Sequence, residues 1–154
     1  MIVIYWRKLS QFLKRQAIAV KIVALFSLVS ISIPIHAEVW LLTHSSQQAE
    51  LSAKQIRAIF SLRQKNWPDG QIIELVVMDD NNELHKQFCL DALKLFPYQL
   101  TRIWERQIYT GTAIAPTIVN SEQEMLDTIK NNPNAIGYTS QEVSNEELHS
   151  TVVD

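Results

Sequence analysis

The sequence is poor in the residues that make covalent or glycine-built scaffolds: 154 residues hold one cysteine and three glycines. A lone Cys89 excludes an intramolecular disulfide framework, and no cysteine follows residue 37 closely enough to carry a lipid anchor. Three scattered glycines leave no phosphate-gripping P-loop. Acids are absent from the first 37 residues, although the whole chain has 16. Nor is there a spanning hydrophobic run, because the apolar stretch from Ile22 to Ile35 falls short of the ~20 residues a membrane helix needs.

What is present there has the layout of a secretory leader. Arg7, Lys8, Lys14, Arg15 and Lys21 make a basic start, "IVALFSLVSISIPI" follows, and "IHAE" puts the small Ala37 before a charge. The expectation is a signal peptide over 1–37, export to the periplasm, and a single domain over 38–154 that needs no membrane. Five of the 14 Lys and Arg lie in that leader, which leaves nine against 16 acids, a net charge of −7 for 38–154. Such a balance argues against a nucleic-acid partner, whose binders carry basic patches, and against an anionic membrane surface.

The remainder alternates strand and helix signals. "EVWLL" (38–42), "IIELVV" (72–77), "TIV" (117–119), "IGYT" (136–139) and "TVV" (151–153) read as strands. Ser52 with Gln55 and Ser121 with Glu124 have the spacing of capping boxes, as do Asp80 with Glu83 and Ser144 with Glu147. Ile56, Ile59 and Phe60 share one helical face; Leu84, Phe88, Ala92 and Leu95 share another. Leu100, Ile103, Trp104 and Ile108 mark a third helix, and Met125, Leu126 and Ile129 a fourth. The fold class that follows is α/β, a mainly parallel sheet flanked by helices.

"IFSLRQKNWPDG" (59–70) lies at one of the junctions. Pro68 cannot continue a helix and holds Trp67 extended, while Asp69-Gly70 supplies a turn into the next strand. Trp67 is expected to pack over that corner as an anchor.

These residues also carry a resemblance. "LSAKQIRAIFSLRQKNWPDG", Phe88, "RIWERQIYTG", Pro116 and "SEQEMLDTIKNNPNAIGYTS" resemble, in order, segments of the phosphate-binding proteins of ABC importers, the type 2 periplasmic-binding fold. The likeness covers residues 50 to 140 and implies one lobe of a two-lobed protein. A cleft would then need a second copy, giving a homodimer, or an envelope protein partner. The family's phosphate grip, an Arg followed by Ser-Gly-Thr at a helix start, falls on Met78 and on Asn82, Glu83 and Leu84. Leu62 stands in place of its loop glycine.

Phosphate, or another small polar or anionic solute, is therefore the implied ligand, although the gripping motif is not retained. Candidate ligand-binding residues are Asn81 and Asn82 at the second helix start, and the hydroxyl bearers Thr43, Ser45, Thr110 and Thr139 at element ends, where α/β folds bind ligands. The bland reading of each is a solvated loop or a helix cap. His85 and Cys89, four apart, have a spacing that could hold a soft metal, but two ligands do not make a site, and an exposed His beside a buried Cys is the simpler expectation. No catalytic motif emerges, so the chain reads as a non-enzyme with no cofactor. The competing reading is a protein–protein adaptor that keeps the fold without a solute site, with Trp40, Trp67, Trp104 and Tyr109 as its possible anchors.

Overall fold

Capping and turn chemistry carried by the sequence sets most element boundaries. The computed structural model describes residues 38–47 and 50–153; the expected leader, 1–37, lies outside them. The elements run β1 (Trp40–His44), α1 (Ala53–Phe60), β2 (Glu74–Met78), α2 (Glu83–Phe88), α3 (Pro97–Tyr109), β3 (Thr117–Val119), α4 (Glu122–Lys130), β4 (Ala135–Thr139) and β5 (Leu148–Val152).

The Ser52 capping box at α1 is complete: Ser52 Oγ accepts from Gln55 N, and Gln55 Oε1 accepts from Ser52 N. At α4 only half forms, because Glu124 accepts from Asn120 N (2.7 Å) instead of from Ser121 N. The Asp80–Glu83 pairing is superseded at α2. Asn82 is the cap there, its Oδ1 accepting from Leu84 N and His85 N at 2.9 and 3.2 Å. Ser144 and Glu147 start no helix; Ser144 bridges to His149, and Asn145 Oδ1 caps the turn into β5. The face expected to reach Leu95 breaks into a π-helical turn, Cys89–Leu93, closed by Lys94 in the left-handed region.

The strands form one sheet in the order β3-β2-β4-β1-β5. β2 pairs in parallel with both β3 and β4, whereas β1 is antiparallel to β4 and to β5. Four strands therefore point the same way and only β1 is reversed. Helices cover the sheet, and Phe60, Phe88, Met125, Ile129, Ile136 and Tyr138 are fully buried between the layers.

Gly137, in the middle of β4, lets α4 lie unusually close. A Cβ there would come within 2.3 Å of Met125 Sδ and 2.9 Å of Ile129 Cδ1. Leu62 has φ 59°, the left-handed conformation that glycine adopts without steric cost, yet it is buried. The chain thus holds a glycine-like bend with a leucine that contributes apolar burial.

The Trp-Pro-Asp-Gly junction is a scaffold corner. Trp67 N donates to Gln71 O (2.8 Å), Gly70 N to Trp67 O (2.9 Å), and Gly70 has φ 91°. The Trp67 ring is 2 % exposed, and its Nε1 donates to Asn134 O at 3.0 Å. Trp67 therefore fastens the entry to β2 onto the loop before β4.

Candidate functional site

Strand direction decides which of the candidate residues can meet. Because β2 and β4 run parallel, Asn81 and Asn82, just after β2, and Thr139, the last residue of β4, lie on one edge of the sheet. β1 runs the other way: Trp40 is opposite Thr139, and Thr43 is opposite Ile136. Thr43 and Ser45 thus sit on the far edge, where Thr43 Oγ1 reaches His149 O (3.5 Å) and Ser45 Oγ donates to Glu146 O (2.8 Å). Thr110 ends α3, its hydroxyl donating to Arg106 O and Gln107 O. Lys65 Nζ, from the segment before β2, binds Thr112 O in the following loop. The six expected residues accordingly do not form one cluster; Asn81, Asn82 and Thr139 share an edge, and the other three do not join them.

On that shared edge the donors converge on an oxyanion that the chain itself supplies. Glu122, in the first turn of α4, accepts from Thr139 Oγ1 (3.0 Å), Ser140 N (2.8 Å) and Ser140 Oγ (2.9 Å). Thr139 is 2 % exposed, so its hydroxyl is committed to this carboxylate. A carboxylate in the first turn also faces the positive end of the helix. In the sequence Glu122 is marked only as an acid directly after a Ser cap, because its partners, Thr139 and Ser140, come from the end of β4 and the residue after it.

Across the edge, Asn82 spends its oxygen on the α2 cap, and Asn81 N and Nδ2 both donate to Asp79 Oδ1 at 2.9 Å. Those bonds hold the exposed Asp79 carboxyl below its ordinary range. Asp80 accepts from Thr101 Oγ1 at 3.0 Å. Asp79, Asp80 and Glu122 thus make this edge of the sheet acidic.

Beneath this edge lies a buried polar relay. Met78 N donates to Tyr138 Oη (2.8 Å), and Tyr138 Oη lies 2.6 Å from His85 Nδ1. The Asp80 carboxylate beside Nε2 favours the tautomer in which the tyrosine hydroxyl, accepting from the amide, donates to Nδ1. His85 therefore carries its own proton on Nε2, which faces Cys89 Sγ at 3.5 Å and Asp80 Oδ1 at 3.6 Å. His85 was expected to be exposed and is instead completely buried, because Tyr138, 53 residues on, gives it a polar partner inside the core. Cys89 is also buried, and burial reinforced by the Asp80 charge pushes its thiol up to about 12, which suppresses the nucleophilic thiolate. Among the described residues, no group of three or more His, Cys, Asp or Glu could hold a metal ion.

Burial lowers the His85 pKa, with Asp80 and Asp79 opposing it. The unfolded chain therefore takes up this proton first as pH falls, so stability is full above the ordinary histidine pKa and declines below it. The expected loss is up to about 1.4 kcal/mol per pH unit beneath ~6.5, until folded His85 itself protonates. Urea titrations between pH 7.5 and 5 check this, and a stability that stays level over that range would contradict it.

Against known proteins, no family model matches the chain and no curated protein matches it. Solved structures do. A phosphate ABC transporter substrate-binding protein from Clostridium perfringens, solved with bound phosphate, superposes with a TM-score of 0.59 at 19% identity, covering 73% of this chain. An ABC-type phosphate transport receptor from Vibrio cholerae gives 0.53 at 15% identity, covering 75%. The chain has a periplasmic-binding-protein-like fold. It spans 43% and 45% of the length of those two proteins. Among the described residues, no helix is long and apolar enough to cross a membrane.

Proposed function

We propose that this chain is an exported, non-catalytic, solute-binding-protein-like module of the periplasm. It supplies one wall of a binding cleft, and a second copy or an envelope protein supplies the other. The observation that carries this reading is the convergence of Thr139 Oγ1, Ser140 N and Ser140 Oγ on one oxyanion at the carboxyl edge of a binding-protein-like sheet. Partial coverage of two phosphate-binding neighbours supports the single-wall aspect. The ligand class is a small polar or anionic solute, phosphate first, approached through Asn81, Asn82 and Thr139; Thr43, Ser45 and Thr110 belong to other surfaces. In the isolated chain, Glu122 takes the solute's place, so binding requires that its carboxylate be displaced.

The test is calorimetric titration of phosphate into the native chain and into Glu122→Ala. Native binding is expected to be millimolar or weaker, and the variant at least tenfold tighter. The same substitution removes charge-assisted hydrogen bonds to a half-exposed carboxylate and, discounted for solvent screening, costs about 1 kcal/mol of stability. No heat from Glu122→Ala up to about 10 mM phosphate, tenfold above a millimolar constant, would remove the solute reading.

A specific observation favours a second reading in that event. Phe96 and Tyr98 stack with ring centroids 5.8 Å apart and are both more than half exposed, next to Leu90 and Asp80. An adaptor using this shelf as its anchor would keep the fold while its carboxylates exclude anions.

A further inference from the structure

Residues 38–154 contain four arginines, Arg57, Arg63, Arg102 and Arg106, and all four line one cavity of about 490 Å³. None of the five lysines in that span does so. The cavity lies between the end of α1, the stretch around Leu93 and Leu95, and the outer side of α3. It is separate from the Glu122 edge, with which it shares no residue. Its walls include Leu93, Leu95, Leu100 and Ile103.

The walls are held in place by hydrogen bonds from α3 to the α1 terminus. Trp104 Nε1 donates to Phe60 O (2.6 Å), and Gln107 Nε2 donates to Ser61 O (2.5 Å). Ser61 Oγ accepts from Arg63 Nε at 2.9 Å, orienting that guanidinium at the rim. Among the described residues, none of the four arginines forms an ion pair with a carboxylate. The arginines at the ends of α1 and α3 gain from the helix dipole, but Arg63 and Arg102 have no such support. Arg102 lies 6.0 Å from the Tyr98 ring centroid, and with no carboxylate partner on any of the four, their N–H donors are available to an anion in a span whose net charge is −7.

We propose that this cavity is a binding site for a small amphipathic oxyanion: a phosphate or similar head held by the guanidiniums, with an apolar body against the half-buried Leu95 and Ile103. The planar fork of arginine matches a tetrahedral or carboxylate oxyanion through paired N–H···O bonds, which a lysine point charge does not. A cavity of this size is in the range of small-molecule sites, and the apolar walls exclude a fully hydrated ion as the best occupant. Free alkyl phosphates and lipid headgroups share this chemistry, so the source has to be separated by experiment.

The full-length chain is titrated with hexyl phosphate, with inorganic phosphate, and with vesicles of phosphatidylglycerol, following binding by calorimetry at low and at moderate salt. Hexyl phosphate is expected to bind at least tenfold tighter than inorganic phosphate, and more weakly as salt rises. In Arg63→Gln/Arg102→Gln, affinity should fall at least tenfold, while Lys54→Gln, an exposed cation outside the cavity, should leave it unchanged. Thermal melting without ligand confirms that the arginine variant folds. If it does not, Leu95→Lys, which charges the half-buried wall without touching the arginines, should weaken hexyl phosphate and spare inorganic phosphate. Equal affinities for the two phosphates would overturn the proposal. So would hexyl phosphate binding that survives both changes, or binding to vesicles without binding to hexyl phosphate.

Discussion

Trp67→Ala is expected to destabilise the chain by about 3–5 kcal/mol, the range for removing a large aromatic from a packed interior. The ring is 2 % exposed, and its Nε1 donates to Asn134 O, so the substitution both empties a space and strips a carbonyl of its donor. Trp67→Phe separates the two effects. It keeps most of the apolar contact, loses the indole hydrogen bond, and should cost about 1–2 kcal/mol. Urea unfolding with an unchanged denaturant slope measures both. A Trp67→Ala chain as stable as the native one would mean that the corner does not fasten β2 to the loop before β4.

The second large effect is expected from Tyr138→Phe. That change removes one oxygen and leaves two buried groups without partners: the Met78 amide at 2.8 Å and His85 Nδ1 at 2.6 Å. Each unsatisfied group costs about 1–3 kcal/mol, so a loss of about 2–6 kcal/mol is expected. The ring itself stays, stacked on Phe88 with centroids 4.2 Å apart and planes within 11°, which keeps packing out of the comparison. Nitrogen NMR of the His85 ring gives a readout that a purely structural loss would not move. The native chain should show a single neutral tautomer with the proton on Nε2, and the variant a mixture.

Much of the scaffold is legible in the sequence because it depends on near neighbours. Ser52 and Gln55 cap the helix that their spacing implies, Pro68 and Gly70 turn the chain where they stand, and Trp67 packs as a lone tryptophan usually does. The α2 cap was misread by two residues because Asp80 and Asn82 can both serve; Asp80 instead faces Thr101 and His85. His85 and Glu122 could not be placed from local pattern, since their partners are 53 and 17 or 18 residues away. Likewise, a hydroxyl at the end of a strand says nothing about which edge of the sheet it occupies. Thr43 and Thr139 look equivalent in sequence, and the reversal of β1 puts them at opposite ends.

That reversal also has a consequence for the order of assembly. β1 is the first strand among the described residues, yet its neighbours in the described sheet are β4 and β5, which begin at Ala135 and Leu148. Closing loops of about a hundred residues must precede any reward from those pairings, and such non-local contacts slow folding. Strands β2, β3 and β4 can assemble from residues 74–139, whereas β1 finds its partners among the described strands only once residues 135–152 have been made. β1 is thus expected to join the sheet late, and a chain synthesised only as far as residue 134 leaves that strand unpaired.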